Sequence, residues 1–437
     1  MKKIIVAMVF ICAGFLSCQK GELVTEVSEN NQEQPKKEEP EKEDPAKEEP
    51  QREEAKPIDL TKAEQLIVQK NNLFAFDLLR TVSLNEEPEK NILLSPLSAS
   101  LALAMLNNGA AGQTHDEIQQ TLGYGDILRD GMNAYFQKML TALQEVDPDV
   151  TLESANSIWI KDGFPVLDSF KETNRTYYAA EVRNEDFNNP ATAGLINDWC
   201  AENTHDRIPD IIDKISPDAI MYLLNALYFK GVWTIQFDKQ ATADETFSNL
   251  DGTTPLLPTM NLKQTFYHAE GETFDLLDLP YGNEAFSMVI LLPKEGVSLS
   301  SVIDALDAQS WDASLARMYT KEVELKLPRF KIECERILNQ DLKDMGMISM
   351  FNAGMADFSL IRPGGGLSVS LVKQKTFAEV NEEGTEAAAV TVIEMVFTSI
   401  GEDAPPALFH VNRPFLYFIK EKSTGAILFT GVTKNLQ

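Results

Sequence analysis

The sequence predicts an α+β domain in which helices occupy much of the N-terminal half and mainly antiparallel strands follow. Two observations indicate this class. Early segments place apolar residues at helical spacing, whereas later segments alternate apolar and polar residues with a period of two. Turn residues such as Tyr281-Gly282-Asn283 separate later segments, so the strands they join should pair antiparallel. A chain of 437 residues is long enough for one large domain or two ordinary ones.

Residues 1–18 have the pattern of a secretion signal. Two lysines precede an apolar run that is too short to form a permanent transmembrane helix. Cys18 follows the small residue Ser17, as at the cleavage site of a bacterial lipoprotein, although Phe15 stands where such signals most often have leucine. We expect Cys18 to carry a lipid and to begin the mature chain. A conventional secretory cleavage, or an unmodified cysteine in an apolar run, is the alternative.

The composition of residues 19–57 predicts a disordered tether. Proline recurs every five residues among glutamate and lysine, and so few residues are aliphatic that no core can form. A flexible segment of this length reaches about 35 Å, and more where proline stiffens it. The domain, residues 58–437, should therefore stand clear of the membrane. We expect a bacterial cell-envelope protein, held at the outer membrane or the cell surface only through the lipid on Cys18.

The charge of the chain argues against nucleic-acid binding. The net charge is −28, and the acidic residues are spread through the domain as well as the tether. Such a protein offers no basic face to a polyanion. Cysteines are too few for a disulfide framework. Cys200 and Cys334 lie in apolar patterns and are expected to be buried free thiols, with a disulfide between them as the alternative.

Two segments of the first half have the form of helix starts. Thr61–Glu64 and Thr114–Glu117 each match a capping box, and the second should open a helix that ends near Leu122. Apolar residues at helical spacing follow the first box: Ile67, Phe74 and Leu78. The intervening run from Ala99 to Leu106 is apolar on every side, so that helix should be buried.

The strand predictions rest on alternation and on turns. The segments expected to be strands are Val150–Glu153, Ile158–Ile160, Phe274–Leu279, Phe286–Leu292 and the alternating set Val323, Leu325 and Leu327. The third and fourth of these flank the turn at Gly282 and should form a hairpin.

Catalytic motifs are scarce. The sequence has four histidines and lacks a Gly-x-Ser-x-Gly elbow, a His-Glu-x-x-His pair and a phosphate-binding loop. Ser370–Lys373 matches Ser-x-x-Lys, but it lies in strand-like sequence without the partner motifs that this chemistry needs. Gly364–Gly366 follows a proline and is more simply a loop. We therefore expect a protein that is not an enzyme and that uses no metal or cofactor.

The segment from Glu382 to Ser399 is unusual. From Thr385 onward, with a period of two, one face carries no charge and no proline, while Glu386 and Glu394 lie on the other. The uncharged face comprises Thr385, Ala387, Ala389, Thr391, Ile393 and Met395. Gly384 and the Pro405-Pro406 pair mark the segment as a loop, so it can be either a loop or a strand. An exposed apolar strand is an aggregation hazard, so its presence requires a reason.

These residues resemble the hinge of the reactive-centre loop in inhibitory serpins. The runs Phe409–Phe415 and Gly425–Gly431 are similar to the C-terminal signature of that family, and Asn91–Ser98 and Leu224–Trp233 match further signature segments in the same order. The resemblance implies the serpin fold, with mainly antiparallel sheets and an exposed reactive-centre loop. It also implies a monomeric inhibitor that traps serine proteases, and also cysteine proteases in some members, as a suicide substrate.

The resemblance assigns roles to individual residues. The hinge residues are Glu382, Gly384, Thr385, Ala387, Ala388 and Ala389. The shutter cluster, a polar group beneath the sheet that opens, comprises Ser95, Ser98, Asn225 and Gln374, for which simple packing is the alternative role. Gln374 stands where many serpins have histidine, so we expect no pH-dependent shutter.

In typical serpins the reactive bond follows the sixteenth residue beyond the hinge glutamate, so the resemblance implies a reactive bond between Thr398 and Ser399. Threonine before the bond suits an elastase-like protease. A shift of one residue would present Phe397 to a chymotrypsin-like protease, and Met395 is a third candidate. Two other functions stay open: a non-inhibitory binding or chaperone protein with the same fold, and an envelope serine hydrolase.

Overall fold

The computed structural model describes residues 52–206, 208–385 and 405–437, and it confirms the α+β class. The helices are α1 (Lys62–Asn85), α2 (Pro96–Asn107), α3 (Gly112–Thr121), α4 (Arg129–Glu145), α5 (Asp168–Tyr178), α6 (Ala191–Glu202), α7 (Leu299–Ala305), α8 (Ala308–Leu315) and α9 (Asn339–Asp344). The strands are β1 (Ile92–Leu94), β2 (Val150–Lys161), β3 (Glu181–Glu185), β4 (Met221–Val232), β5 (Ala243–Thr246), β6 (Leu256–Ala269), β7 (Phe274–Tyr281), β8 (Phe286–Pro293), β9 (Tyr319–Pro328), β10 (Phe330–Ile337), β11 (Leu371–Val380), β12 (Gly384–Thr385), β13 (Ala407–His410), β14 (Phe415–Glu421) and β15 (Ile427–Thr433).

The strands form two sheets. The larger has the order β1-β15-β14-β8-β7-β6-β9-β13, with β5 paired to β6. The smaller, here called the central sheet, has the order β10-β11-β12-β4-β2-β3. Most neighbouring strands are antiparallel, as predicted; the parallel pairs among the described strands are β2 with β3, β4 with β11, and β9 with β13.

Helix α2 lies in the core and contacts both sheets. All 12 of its residues are buried, as its apolar sequence predicts. It packs on β4 of the central sheet and on β15 of the larger sheet. Ser95 occupies the N-cap position and its hydroxyl accepts a hydrogen bond from the Ser98 amide at 3.3 Å. The start of α2 therefore brings two polar side chains beneath the central sheet.

Most of the predicted elements are confirmed. The capping box of α1 is complete, since the Glu64 amide donates to the Thr61 hydroxyl and the Thr61 amide donates to the Glu64 carboxylate. Strands β7 and β8 pair antiparallel around the turn at Gly282. The two predicted segments between residues 150 and 160 belong to one strand, β2.

The prediction of a capping box at Thr114–Glu117 is wrong. Helix α3 begins at Gly112, three residues earlier than a Thr114 cap requires, and the N-cap residue Ala111 offers no side-chain cap. The hydroxyl of Thr114 lies 3.0 Å from that of Ser349 and accepts a hydrogen bond from the Asp357 amide. A tertiary contact therefore takes the hydroxyl that the local motif assigned to the helix end.

The two cysteines of the domain are free thiols, as predicted, although only Cys200 is fully buried and Cys334 is partly buried. Ser370–Lys373 enters β11, in agreement with its strand-like pattern. Arg52, in the predicted tether, hydrogen bonds to the Asp149 carboxylate and to the Thr234 carbonyl oxygen at 2.7 and 2.8 Å. In the part of the chain that the structure describes, no helix has the length and apolar character needed to cross a bilayer.

Candidate functional site

The described part of the hinge forms a strand within the central sheet. Strand β12 lies between β4 and β11, with Thr385 opposite Gly231 on one side and opposite Val380 on the other. Further along, β4 and β11 pair directly and in parallel, from Tyr222 with Leu371 to Ala226 with Lys375. The hinge thus enters the sheet at the end where β4 and β11 have separated.

Residue 384 must be glycine because the backbone of β4 leaves no room for a side chain at this position. A Cβ atom at this position would lie 2.0 Å from the carbonyl oxygen of Gly231 and 2.7 Å from Cα of Val232. Neither backbone atom can move away cheaply, since both belong to a paired strand. Any side chain at residue 384 would therefore displace the hinge from the sheet.

Thr385 faces the core, as its place on the uncharged face predicts. Its side chain is buried, and its hydroxyl lies 2.7 Å from the hydroxyl of Tyr281. The Tyr281 ring stacks on Trp233 with centroids 4.3 Å apart. The indole nitrogen of Trp233 donates to the Asn381 carbonyl oxygen at 2.9 Å. Burial raises the pKa of Tyr281, so its hydroxyl stays protonated and available as a donor.

Just before the strand, the buried carboxylate of Glu382 forms an ion pair with the exposed side chain of Arg329. Its carboxylate accepts hydrogen bonds from Nε of Arg329 at 2.8 Å and from the Thr242 hydroxyl at 2.5 Å. Burial favours the neutral acid, but these donors outweigh it and hold the pKa of Glu382 below the usual 4.5. The next carboxylate, that of Glu383, pairs with Lys239 at 2.5 Å.

Backbone bonds hold the same segment. The amide of Phe237 donates to the carbonyl oxygen of Glu382 at 3.0 Å, and the amide of Trp233 donates to that of Glu383 at 2.9 Å. The approach to the hinge is therefore fixed by side chains and backbone together, and Thr385 is the last residue before the gap in the described chain.

The four residues of the shutter cluster meet in one hydrogen-bond network. The side-chain oxygen of Gln374 accepts from the Ser95 amide at 2.9 Å, while its side-chain nitrogen donates to the Ser95 carbonyl at 2.9 Å and to the Asn225 side chain at 3.3 Å. The Ser98 hydroxyl donates to the same Asn225 oxygen. This network joins α2 to β4 and β11 where those two strands pair directly.

Several residues that contact the hinge and the shutter cluster were not predicted from the sequence. Asn156 on β2 accepts a hydrogen bond from the Asn225 side-chain nitrogen at 2.5 Å and extends the shutter network to a third strand. Arg329, Thr242, Lys239 and Tyr281 hold the hinge. No local motif marks these residues, because each becomes a partner only when distant strands are brought together. Of these residues, only Arg329 has a recognisable position in the sequence, since it lies between strands β9 and β10.

Other predicted site residues lie outside the described residues: Cys18, Ala387, Ala388, Ala389, Met395, Phe397, Thr398 and Ser399. Over the described ranges, no group of three or more histidine, cysteine, aspartate or glutamate side chains is arranged to hold a metal ion.

Comparisons with known proteins agree with this architecture. The family model described as serpin (serine protease inhibitor) matches residues 69–436. Antichymotrypsin-2 of Bombyx mori is 33% identical over 379 residues, which cover 85% of this chain and 99% of that protein. The crystal structure of tengpin, a thermophilic serpin in its native state, superposes with a TM-score of 0.79 at 30% identity, covering 88% of this chain and 97% of that one.

Human thyroxine-binding globulin, in complex with thyroxine, is equally similar in structure, with a TM-score of 0.79 and 30% identity over 86% of this chain and 100% of that one. The match to the family model and the similarity to these relatives extend over most of the described domain. This chain belongs to the serpin family.

Proposed function

We propose that this serpin inhibits serine proteases, and in some cases cysteine proteases, by acting as a suicide substrate whose cleaved loop inserts into the central sheet. One observation carries the proposal. The hinge already occupies the first position of an added strand, with Gly384 fitted against β4 and Thr385 turned into the core. The loop therefore has a defined entry point and direction for insertion.

Continuing the antiparallel register of β12 assigns a place to each later loop residue. Ala387 would come between Phe229 and Ala378, and Thr391 between Asn225 and Gln374. Those four flanking residues are buried, so Ala387 and Thr391 would both enter buried positions of the central sheet. The uncharged face recognised in the sequence is thus the face that insertion would bury.

Insertion in this register must break the shutter network. Residues 390–394 would displace the direct pairing of β4 with β11 and separate Asn225 from Gln374. The polar groups released could pair instead with the new strand, for which Thr391 supplies a hydroxyl. About twelve newly paired residues, at roughly 0.5–1.5 kcal/mol per hydrogen bond, would stabilise the inserted state by about 6–18 kcal/mol.

The chemistry belongs to the target protease. Its catalytic serine oxygen attacks the carbonyl carbon of Thr398, the Thr398–Ser399 peptide bond breaks, and Ser399 leaves as a new amino terminus. An ester then joins the protease to Thr398. Loop insertion would carry the protease along the sheet before water hydrolyses that ester. The inhibitor needs no catalytic residue, cofactor or metal of its own for this sequence.

The choice of protease depends on the register of the reactive bond. Threonine at residue 398 suits an elastase-like enzyme with a small pocket, whereas cleavage after Phe397 suits a chymotrypsin-like one. Met395 is a third possible site. The name of antichymotrypsin-2 refers to the second class of target, and at 33% identity it adds modest support for that class.

We also propose that the protein acts at a bacterial cell envelope as a monomer, anchored by a lipid on Cys18. The support is the sequence pattern of residues 1–18 and of the tether that follows. Labelling the producing cells with a clickable fatty acid should tag the wild-type chain. The Cys18→Ala variant should remain untagged.

The decisive experiment mixes a soluble form that lacks residues 1–18 with elastase-like, chymotrypsin-like and trypsin-like proteases. We expect an SDS-stable complex and a released C-terminal peptide that begins at Ser399. A peptide beginning at Thr398 or Val396 would move the bond to Phe397 or Met395. If every protease cleaves between residues 390 and 400 and none forms a complex, the proposed inhibitory function is refuted.

The rival function is a binding protein with the same fold, as thyroxine-binding globulin illustrates. Heat stability separates the two. Cleavage in the loop should raise the unfolding temperature strongly if the loop inserts. An unchanged unfolding temperature after cleavage would favour the binding protein.

A further inference from the structure

A cavity lies away from the hinge and the shutter cluster. Its volume is about 500 Å³, and it lies among the end of α1, the turn from β8 to α7, helix α7 and the residues after β15. Apolar side chains form much of its wall, including Pro293, Leu299, Ile303 and Pro414. A cavity of this size and character is typical of sites for small molecules.

Lys434 lines this cavity and is only 5% exposed. Its ammonium group has no hydrogen bond or ion pair with any described residue. Burial lowers the pKa of Lys434, and the nearby Glu86 opposes that effect only in part. The Glu86 carboxylate is already engaged by Arg336 at 2.6 Å and by Lys90 at 3.4 Å. A buried cation with no anion of its own is costly unless something else binds it.

Ser83, on the last turns of α1, adds a second unused donor. Its hydroxyl oxygen is buried and has no hydrogen-bond partner among the described residues. Both Ser83 and Lys434 line the same cavity. The Ser83 hydroxyl is buried without a partner, and the Lys434 ammonium group lies at the end of a largely buried side chain and has no described anion, which indicates that an acceptor is missing from this site.

The charged side chains that line the cavity are Lys294, Arg413, Lys434, Glu86 and Asp304, which leaves one positive charge in excess. Arg413 donates only to neutral oxygens, the Pro293 carbonyl at 2.8 Å and the Asn412 side chain at 2.9 Å. Lys294 is paired with Asp275, and Asp304 is exposed. The cavity therefore offers two cations that have no carboxylate partner, beside an apolar wall.

We propose that this cavity binds a small apolar molecule that carries one anionic headgroup, the chemistry of a free fatty acid or an alkyl phosphate. The anionic oxygens accept hydrogen bonds from the Lys434 ammonium group and the Ser83 hydroxyl. The alkyl part packs on Leu299, Ile303 and the two prolines. This site is independent of protease trapping, since no hinge or shutter residue lines it.

Calorimetry on the purified protein tests the proposal with three probes below their micelle concentrations: decanoate, decyl phosphate and 1-decanol. We expect saturable binding, at one site per chain, of at least one of the two anions. The anion that binds more tightly identifies the headgroup. The neutral alcohol should bind at least tenfold more weakly, because it cannot pair with Lys434.

Two variants and a control complete the test. Lys434→Met keeps the length of the side chain and should weaken anion binding about tenfold while leaving decanol unchanged. Ser83→Ala should cause a smaller loss. Lys214→Met removes the same charge from an exposed loop and should change nothing. Circular dichroism and thermal unfolding show whether each variant folds.

Three outcomes would overturn the proposal. The first is equal affinity for decanoate, decyl phosphate and decanol. The second is unchanged anion binding in a folded Lys434→Met protein. The third is the absence of saturable binding for both anions.

Discussion

The hydroxyl of Thr385 lies 2.7 Å from the hydroxyl of Tyr281, and both side chains are buried. This contact ties Thr385, the second residue of β12, to strand β7 of the other sheet. The hinge is therefore fixed in the sheet by a side chain as well as by backbone pairing. If insertion proceeds from this point, the character of residue 385 should decide whether the loop continues into the sheet.

If the protein traps proteases by loop insertion as proposed, Thr385→Arg should make it a substrate that is cleaved without trapping the protease. A guanidinium group cannot be buried beside Tyr281 without a partner, and an unpaired charge in the core costs several kcal/mol. Proteases should cleave this variant in the loop at a rate like that of wild type, but the ester would be hydrolysed before insertion. The ratio of SDS-stable complex to cleaved inhibitor measures this partition.

Thr385→Ser is the matched control, since it retains the hydroxyl and adds no bulk. It should form complex as wild type does. A Thr385→Arg protein that traps protease in normal yield would show that residue 385 need not enter the core during inhibition.

The pair of Glu382 with Arg329 should stabilise the native hinge. Arg329→Met leaves the Thr242 hydroxyl as the remaining described side-chain donor to the Glu382 carboxylate. Because Arg329 is exposed and water partly screens the pair, the free energy of unfolding should fall by roughly 1 kcal/mol. Adding Glu382→Gln to that variant should restore part of the loss, because the orphaned charge is removed. Urea unfolding of the four proteins in a double-mutant cycle gives the coupling energy.

Acid pH provides an independent check on this pair. The native pKa of Glu382 lies below the usual 4.5, so the unfolded state takes up its proton first as the pH falls. The contribution of the Glu382–Arg329 pair to the free energy of unfolding is thus fully present above about pH 4.5. It is lost as the pH falls through the lower native pKa of Glu382. The stability difference between wild type and Glu382→Gln should shrink over that range. A difference that stays constant down to pH 3 would contradict an ionised pair.

How far the sequence predicts this site depends on whether the signal is local. Thr385 could be assigned to the core face because alternation along one strand is a local property. The partner Tyr281 could not, because it lies on a strand about a hundred residues away and looks like an ordinary hairpin residue. Thr114 illustrates the reverse case. A local motif predicted that its hydroxyl caps a helix, but the hydroxyl contacts Ser349 in a distant part of the chain instead.

The shutter cluster shows the same limit. Family resemblance pointed to Ser95, Ser98, Asn225 and Gln374, and the structure brings all four together. Asn156 completes the network on β2, yet nothing in its sequence neighbourhood distinguishes it from any other strand asparagine. Pairing across strands depends on register, which a single sequence does not specify for distant segments.

The two domain cysteines should be unreactive in the native protein. Burial raises the pKa of Cys200 to about 12 and that of Cys334 to about 11, so almost no thiolate exists at pH 8. Iodoacetamide at pH 8 should leave both unmodified, while treatment in urea should label both. Peptide mass mapping distinguishes them from other cysteines. Rapid native labelling of Cys334, the less buried of the two, would show that β10 opens readily.

Gln374→His should introduce pH sensitivity at the shutter cluster, because it places a titrating group where the wild type has a neutral amide. Gln374 both accepts a hydrogen bond from the Ser95 amide and donates to Asn225, and a neutral imidazole can do the same. A protonated imidazole loses its acceptor and would be a buried cation. The native pKa of the new histidine should therefore lie below its unfolded value of about 6.5.

The sign of the effect follows from that depressed pKa. Below about pH 6.5 the unfolded state binds a proton that the native state refuses, so the variant should lose stability relative to wild type as the pH falls from 7 to 5. Thermal unfolding of both proteins at several pH values measures this. Gln374→Asn, which shortens the side chain but cannot titrate, is the control for a simple packing defect. Parallel pH profiles for Gln374→His and wild type would show that the imidazole escapes from the network to solvent.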